Sequence, residues 1–444
     1  MTLASLPPTW QGWIAAFQAP LHDRLAWRLE PIMLGVVMAK GRRTVTSWLR
    51  AAGLKRGWQD YYYFLAAVGQ ASECMAMLLL RLLVRHLLPE GPLVFGIDDT
   101  PTKRYGPKVE GAGLHHNPTP GPARHKLLYG HLWVTLVWIV HHPLWGAVGL
   151  PILARLYVRQ VDVRKLTQRW PFHTKLVLAK QLVVWAAEVL QFLGRQLWVV
   201  TDGAYAKRPF LKVARQQPGV VIISRLRRDA ALYTVPKPVP AGKKRGRGRP
   251  RIYGKQRISL AKRAAQKRGW QQVTCRQYGK EVVKKIKTFE ATYEPAGGRI
   301  RVVLVDEKDD WLPYFSTDPA MPATTILEKK ADRGTLEQDY HDLKEVEGTG
   351  QQQLRNIWAN IGAFHLTMWA HCLTELWAWF QPKEALCDRS DSPWDDPQRR
   401  PSHADRRKAL QRNCLAEEFS HLNRRQPVAA EIQRFIEGVI HQAA

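Results

Sequence analysis

Two short apolar runs that each end in aspartate constrain this chain more than any other feature. Leu93-Val94-Phe95-Gly96-Ile97 leads into Asp98-Asp99-Thr100, and Leu197-Trp198-Val199-Val200 leads into Thr201-Asp202-Gly203. Short apolar runs bounded by polar residues suit buried strands. Open α/β sheets bind ligands beyond the carboxyl ends of such strands, so both acids stand where chemistry is expected. Between the two runs lie further strand candidates, His131 to Val140 and Leu144 to Leu153, and a helical pattern from Thr174 to Leu193. A helical stretch from Lys207 to Gln217 and a fifth strand, Val220-Val221-Ile222-Ile223, follow the second run. Three strands, a helix, a strand, a helix and a strand is the order of an RNase H-like α/β core.

The remaining segments flank or interrupt that core. Residues 1–90 read as helices, either a DNA-binding bundle or a packing domain; Thr44 to Arg50 follows the turn-like Lys40-Gly41, and Gly53 closes it. The first part of the core covers 91–225, and a basic, β-rich insertion covers 226–312. Within the insertion a glycine-rich tract dense in Lys and Arg, 241–268, precedes alternating strands at Val273 to Thr292 and Ile300 to Val305, with Pro295-Ala296-Gly297-Gly298 as the turn. The core resumes over 313–380, with a helix from about Thr335 and a long aromatic helical stretch from Leu354 to Phe380. A helical tail, 381–444, opens with a loose loop to 403 and ends in an amphipathic helix near Ala429 to Gln442.

Charge narrows the partners. The chain carries 67 Lys and Arg against 38 Asp and Glu, a formal net charge of +29. Such an excess is neutralised by an anionic partner, and nucleic-acid phosphate is the first candidate. Lys243, Lys244, Arg247 and Arg249 lie in the basic tract. Arg247-Gly248-Arg249-Pro250 has the form of a minor-groove hook, with a phosphate-contacting linker as the equal alternative. Five scattered cysteines with no Cys-x-x-Cys pair give neither a disulfide framework nor a zinc ribbon. The histidines show no ligand spacing. Arg81, Arg85 and His86 interrupt the greasiest stretch, Cys74 to Leu88, so no membrane span is expected and a cytoplasmic, nucleoid-associated protein is.

Phosphodiester chemistry uses paired divalent ions held by carboxylates from separate elements, and magnesium asks for hard oxygen ligands. Asp98, Asp202 and a later acid supply such a set: two Mg2+ ions, with Mn2+ as a substitute. The later acid is Glu337, in Arg333-Gly334-Thr335-Leu336-Glu337-Gln338-Asp339-Tyr340-His341-Asp342-Leu343-Lys344. On an α-helix Arg333, Glu337, His341 and Lys344 share one face, giving a carboxylate to metal and cations to phosphate. Successive strand residues point to opposite faces, so only one of Asp98 and Asp99 can join the set; Asp99 is the alternative to Asp98.

With those residues in view, the chain resembles the DDE transposases of bacterial cut-and-paste insertion sequences, in particular those with a Tyr-x2-Arg-x3-Glu-x6-Lys signature. Arg333, Glu337 and Lys344 match its spacing, and Lys330 stands in the Tyr position. Ile97 to Thr100, Lys103 to Gly106, Val200 to Tyr205, Leu226 to Tyr233 and Gly350 to Asn360 also match, so the likeness spans about Arg42 to Phe380. The resemblance implies an enzyme that cleaves the inverted repeats at its element's ends and joins the 3′-OH to target DNA. It also implies a homodimer on DNA, a β-rich insertion before the glutamate, and Arg333 and Lys344 on phosphates; Lys330, where the chain departs from the signature, is a further DNA-binding candidate. A Trp of the insertion, Trp270 or Trp311, would stack on a flipped base, although core packing suits both residues better. The alternatives are a catalytically inactive DNA-binding repressor and an RNase H-like nuclease of junctions or repair.

Overall fold

A computed structural model describes residues 4–117, 125–237, 249–308, 310–387, 394–396, 398–425 and 430–443. Apart from the single turn Asp23–Ala26, its N-terminal helices are α1 (Pro8–Phe17), α2 (Leu29–Met38), α3 (Val45–Ala51), α4 (Trp58–Gln70) and α5 (Ser72–Leu87). Thr44 caps α3 by accepting a hydrogen bond from the Ser47 amide at 3.2 Å, which satisfies one of the free donors of the first turn. The greasy stretch forms α5, burying Met75, Leu79, Leu83 and Leu87 on one stripe.

Every described strand belongs to one mixed sheet of twelve. In chain order they are β1 (Leu93–Lys103), β2 (Gly113–His116), β3 (Leu127–His142), β4 (Gly146–Tyr157), β5 (Leu197–Thr201), β6 (Val220–Arg225), β7 (Leu232–Tyr233), β8 (Arg257–Ile258), β9 (Gln271–Gln277), β10 (Lys280–Tyr293), β11 (Gly298–Glu307) and β12 (Asp310–Ser316). The spatial order β4-β3-β1-β5-β6 forms one half, in which β1, β5 and β6 are parallel and β3 runs antiparallel to β1 and β4. Strand β12 then pairs antiparallel with β6 and carries β11, β10 and the short β7 and β8 onto the same sheet. The strands of the basic segment therefore continue the sheet that holds both aspartates.

Helix α6 (Lys175–Leu190) packs on β3 and β4 through Leu178, Leu182, Val183 and Ala186. With the following turn it is long and apolar enough to cross a membrane, and in this fold its buried face covers the sheet. Helices α7 (Ala323–Asp332) and α8 (Gly334–His341) follow β12, and a π-helical turn, Asp342–Val346, ends α8. The long α9 (Ile357–Trp379) is buried nearly all round, and its Trp369 indole donates to the Ile152 carbonyl of β4 at 2.9 Å. Two helices close the chain, α10 (His403–Arg425) and α11 (Ala430–Ala443).

Several elements differ from the sequence reading. β1 does not stop at Ile97: pairing with the long β3 carries it on to Lys103. The stretch from Val273 to Thr292 is two strands, because Tyr278 (φ 52°) and Gly279 (φ 79°) turn the chain back. Lys207 to Gln217 forms only short turns before Val213–Gln216, since the residue before Pro209 is steered away from helical backbone. Helices α7 and α10 went unread, and a π turn interrupts the α-helical periodicity between Glu337 and Lys344.

Candidate active site

Strand register brings the two aspartates together. β1 and β5 pair in parallel from Leu93↔Leu197 to Ile97↔Thr201. Asp98 and Asp202 are therefore the next residues on each strand, at equivalent positions just past the last pair. Equivalent positions on neighbouring parallel strands point to the same face of the sheet. The charge of Asp202 is felt at Asp98, where it adds to the forces favouring the protonated acid.

Arg333 completes the cluster. It sits at the junction of α7 and α8, its side chain only 9 % exposed, and it ion-pairs with Asp98. Its other terminal nitrogen lies 3.3 Å from Oε1 of Glu337, one turn along α8. Burial works against the guanidinium charge, but Asp98, Asp202 and Glu337 together hold its pKa above the ordinary value. Three carboxylates from β1, the end of β5 and α8 thus converge on one cation. Burial pushes the Asp98 carboxyl up to about 6, against the opposing pull of Arg333 and a 2.9 Å hydrogen bond from the Asp99 amide.

Asp99 points the other way. It accepts hydrogen bonds from the Tyr205 hydroxyl at 2.8 Å and the Lys175 ammonium at 3.0 Å. Between Asp98 and Asp99, only Asp98 ion-pairs with Arg333. Lys330 lies one turn before Arg333, and its ammonium sits 5.9 Å from the centre of the Tyr314 ring. Burial, and then Arg333, lower its pKa, while Asp202 and Glu337 pull it back. Among the described residues no ion pair joins Lys344 to Glu337. Lys344 lines a small cavity with Thr100, Thr102, Tyr340 and Thr349, and burial lowers its pKa. Thr100 and Thr102 continue the face of β1 that carries Asp98, so Lys344 stands farther along that face.

Of the basic-tract candidates, Arg249 is exposed, whereas Lys243, Lys244 and Arg247 lie outside the described residues. Trp270 is capped by the ammonium of Lys287, 4.8 Å from its centre, and Trp311 lies under Arg228 at 5.4 Å. Both indoles pack against the core from partly buried positions. The sequence reading missed Tyr278, which is 80 % exposed at the tip of the β9–β10 hairpin and lies against Gly334, next to Arg333. Its signal was the turn-forming Tyr278-Gly279 pair inside an alternating run.

A second cluster was also illegible. His371 and Glu375 of α9 come within 4.8 Å of His403 of α10, as metal ligands do. His403, however, bonds Glu375 through Nδ1 at 2.7 Å and Glu347 through Nε2 at 2.8 Å, and its ring stacks on His371. Stacked rings direct their in-plane nitrogen lone pairs alongside each other rather than toward one ion, and Arg406 already pairs with Glu375. The cluster is a buried ion-pair network that clamps α10 to α9.

The sequence profile of the DDE superfamily endonuclease family matches residues 16–282, more than half of the chain. The match contains Asp98 and Asp202 and ends before Glu337. No curated protein matches the chain.

Proposed function

The chain belongs to the DDE superfamily endonuclease family, and from that membership we propose that it is a DNA transposase. In this reading it cleaves the ends of its own element and joins the freed 3′-OH to target DNA, using Asp98, Asp202 and Glu337 as the carboxylate set. The observation that carries the reading is the convergence of these acids on Arg333 from three separate elements. The order β4-β3-β1-β5-β6, with β3 reversed between its neighbours, supports an RNase H-like core around them.

The donor set suits divalent ions. Its oxygens are hard ligands, and a buried carboxyl raised to about 6 gains most from a nearby cation. Bound Mg2+, or Mn2+ in its place, would activate the attacking oxygen and stabilise the leaving one. The protein's own groups do the rest. β1 and β5 fix Asp98 and Asp202 side by side, and α8 presents Glu337, 74 % exposed, from the third direction. Arg333 and Lys330 put positive charge where the scissile phosphate must lie. Lys344, Lys243, Lys244, Arg247 and Arg249 are further phosphate-binding cations in this reading, and a homodimer would hold two ends together.

Asp98→Asn, Asp202→Asn and Glu337→Gln should each abolish cleavage of end DNA while its affinity stays within about two-fold, because binding rests on many Lys and Arg side chains. Cleavage at the wild-type rate by Glu337→Gln in magnesium would remove that residue from the set. The intact convergence of acids disfavours an inactive repressor, which has no use for it.

A further inference from the structure

The carboxylate cluster already holds a cation of its own. Asp98, Asp202 and Glu337 bring three negative charges, and Arg333 and Lys330 return two positive ones beside them. A cluster balanced to within one charge has little electrostatic reason to collect two divalent ions. Arg333 also occupies the space such an ion needs, since its guanidinium touches Asp98 on one side and Glu337 on the other. Little else ties it down: among the described residues its buried Nε has no hydrogen-bond partner. The side chain springs from the α7–α8 junction, just before Gly334. The hydrogen bonds that hold the guanidinium all run to carboxylates.

We propose that Arg333 is a resident counter-cation that keeps divalent ions out of the free protein and leaves for a DNA phosphate when DNA binds. The proposal rests on the reading of Asp98, Asp202 and Glu337 as metal ligands. An arginine fork pairs with phosphate as well as with carboxylate, so it can exchange one anion for the other. The exchange removes a positive charge from the cluster and brings in a negative one, which together open the site to metal. Cleavage capacity would then be assembled only on DNA.

The test is Mn2+ binding followed by electron paramagnetic resonance, a readout independent of cleavage. Free wild-type protein should bind Mn2+ at least about ten-fold more weakly than protein saturated with a random-sequence 40-base-pair duplex, with Asp98→Asn on the same duplex as the blank. Without DNA, Arg333→Gln should bind Mn2+ about ten-fold more tightly than wild type, and Arg333→Lys, which keeps the charge, should stay close to wild type. The wild-type comparison needs no variant at Arg333, so it stands even if Arg333→Gln fails to fold. Equal Mn2+ affinity of wild type with and without duplex, or of Arg333→Gln and wild type, overturns the proposal but leaves the metal ligands in place, provided that Asp98→Asn lowers the affinity. Mn2+ binding unchanged by Asp98→Asn overturns both the proposal and the reading beneath it.

Discussion

His403 keeps a proton in a place where burial alone would strip it. Burial lowers its pKa, but hydrogen bonds to Glu347 and Glu375, with their charges, raise it to about 9 from an ordinary 6.5. Glu375 is held down at about 2, by Arg406 and His403 against its burial. The linkage follows from those directions. The stability due to the His403 proton is complete below pH 6.5 and is lost as pH rises through about 9. That due to Glu375 is complete above pH 4.5 and is lost as pH falls through about 2. The clamp on α10 should therefore be tightest between pH 4.5 and 6.5. Wild-type Tm should exceed that of His403→Gln by a margin that shrinks between pH 6.5 and 9.5; a constant margin would show that the imidazolium is not what holds the helix. Asp98 and Asp99 make the same point about neighbours. Alternation along β1 separates them in any fold, but only Tyr205, Lys175 and Arg333 decide which carboxylate faces the cluster.

At the scale of elements, α4 and α9 approach backbone to backbone. A Cβ on Gly69 would stand 2.0 Å from the Trp358 carbonyl oxygen, and one on Gly362 would stand 2.0 Å from that of Leu65. Backbone cannot yield as a flexible side chain can, so Gly362→Ala should force the helices apart and cost about 1–3 kcal/mol, read by chemical denaturation. Gly12 of α1 has nothing within 4 Å, and Gly12→Ala should be neutral or stabilise by up to about 1 kcal/mol. Matching gains at both positions would mean that helix propensity, not approach, sets the effect. The α10 helix secures the other side of the N-terminal helices: Arg407 and Gln411 donate to the Val36, Val37 and Ala39 carbonyls at the end of α2. Those carbonyls have no partner within their own helix. The helix spacing that joins Arg333 to Glu337 holds because both lie within one turn. The π turn at Asp342–Val346 then breaks the periodicity on which placing Lys344 beside them relied.

For the molecule as a whole, charge and sheet continuity decide most. With a formal net charge of +29, affinity for DNA should fall steeply with salt. Replacing Lys243, Lys244 and Arg247 by alanine should flatten the slope of log affinity against log salt by up to about 0.9 for each phosphate these side chains neutralise. An unchanged slope would take these residues off the DNA. By itself the sequence determined the basic character, the apolar runs that become β1, β5 and β6, and the pairing of Arg333 with Glu337. All of these depend on composition or on residues a few positions apart. Only the tertiary structure decided how far β1 extends, because β3 sets its length, and which way Asp98 and Asp99 face in relation to the cluster. It also decided that β12 joins the basic segment to the sheet through β6, and that α10 closes a buried charge network with α9. Each of these rests on partners distant in sequence, whose contacts leave no local period to read.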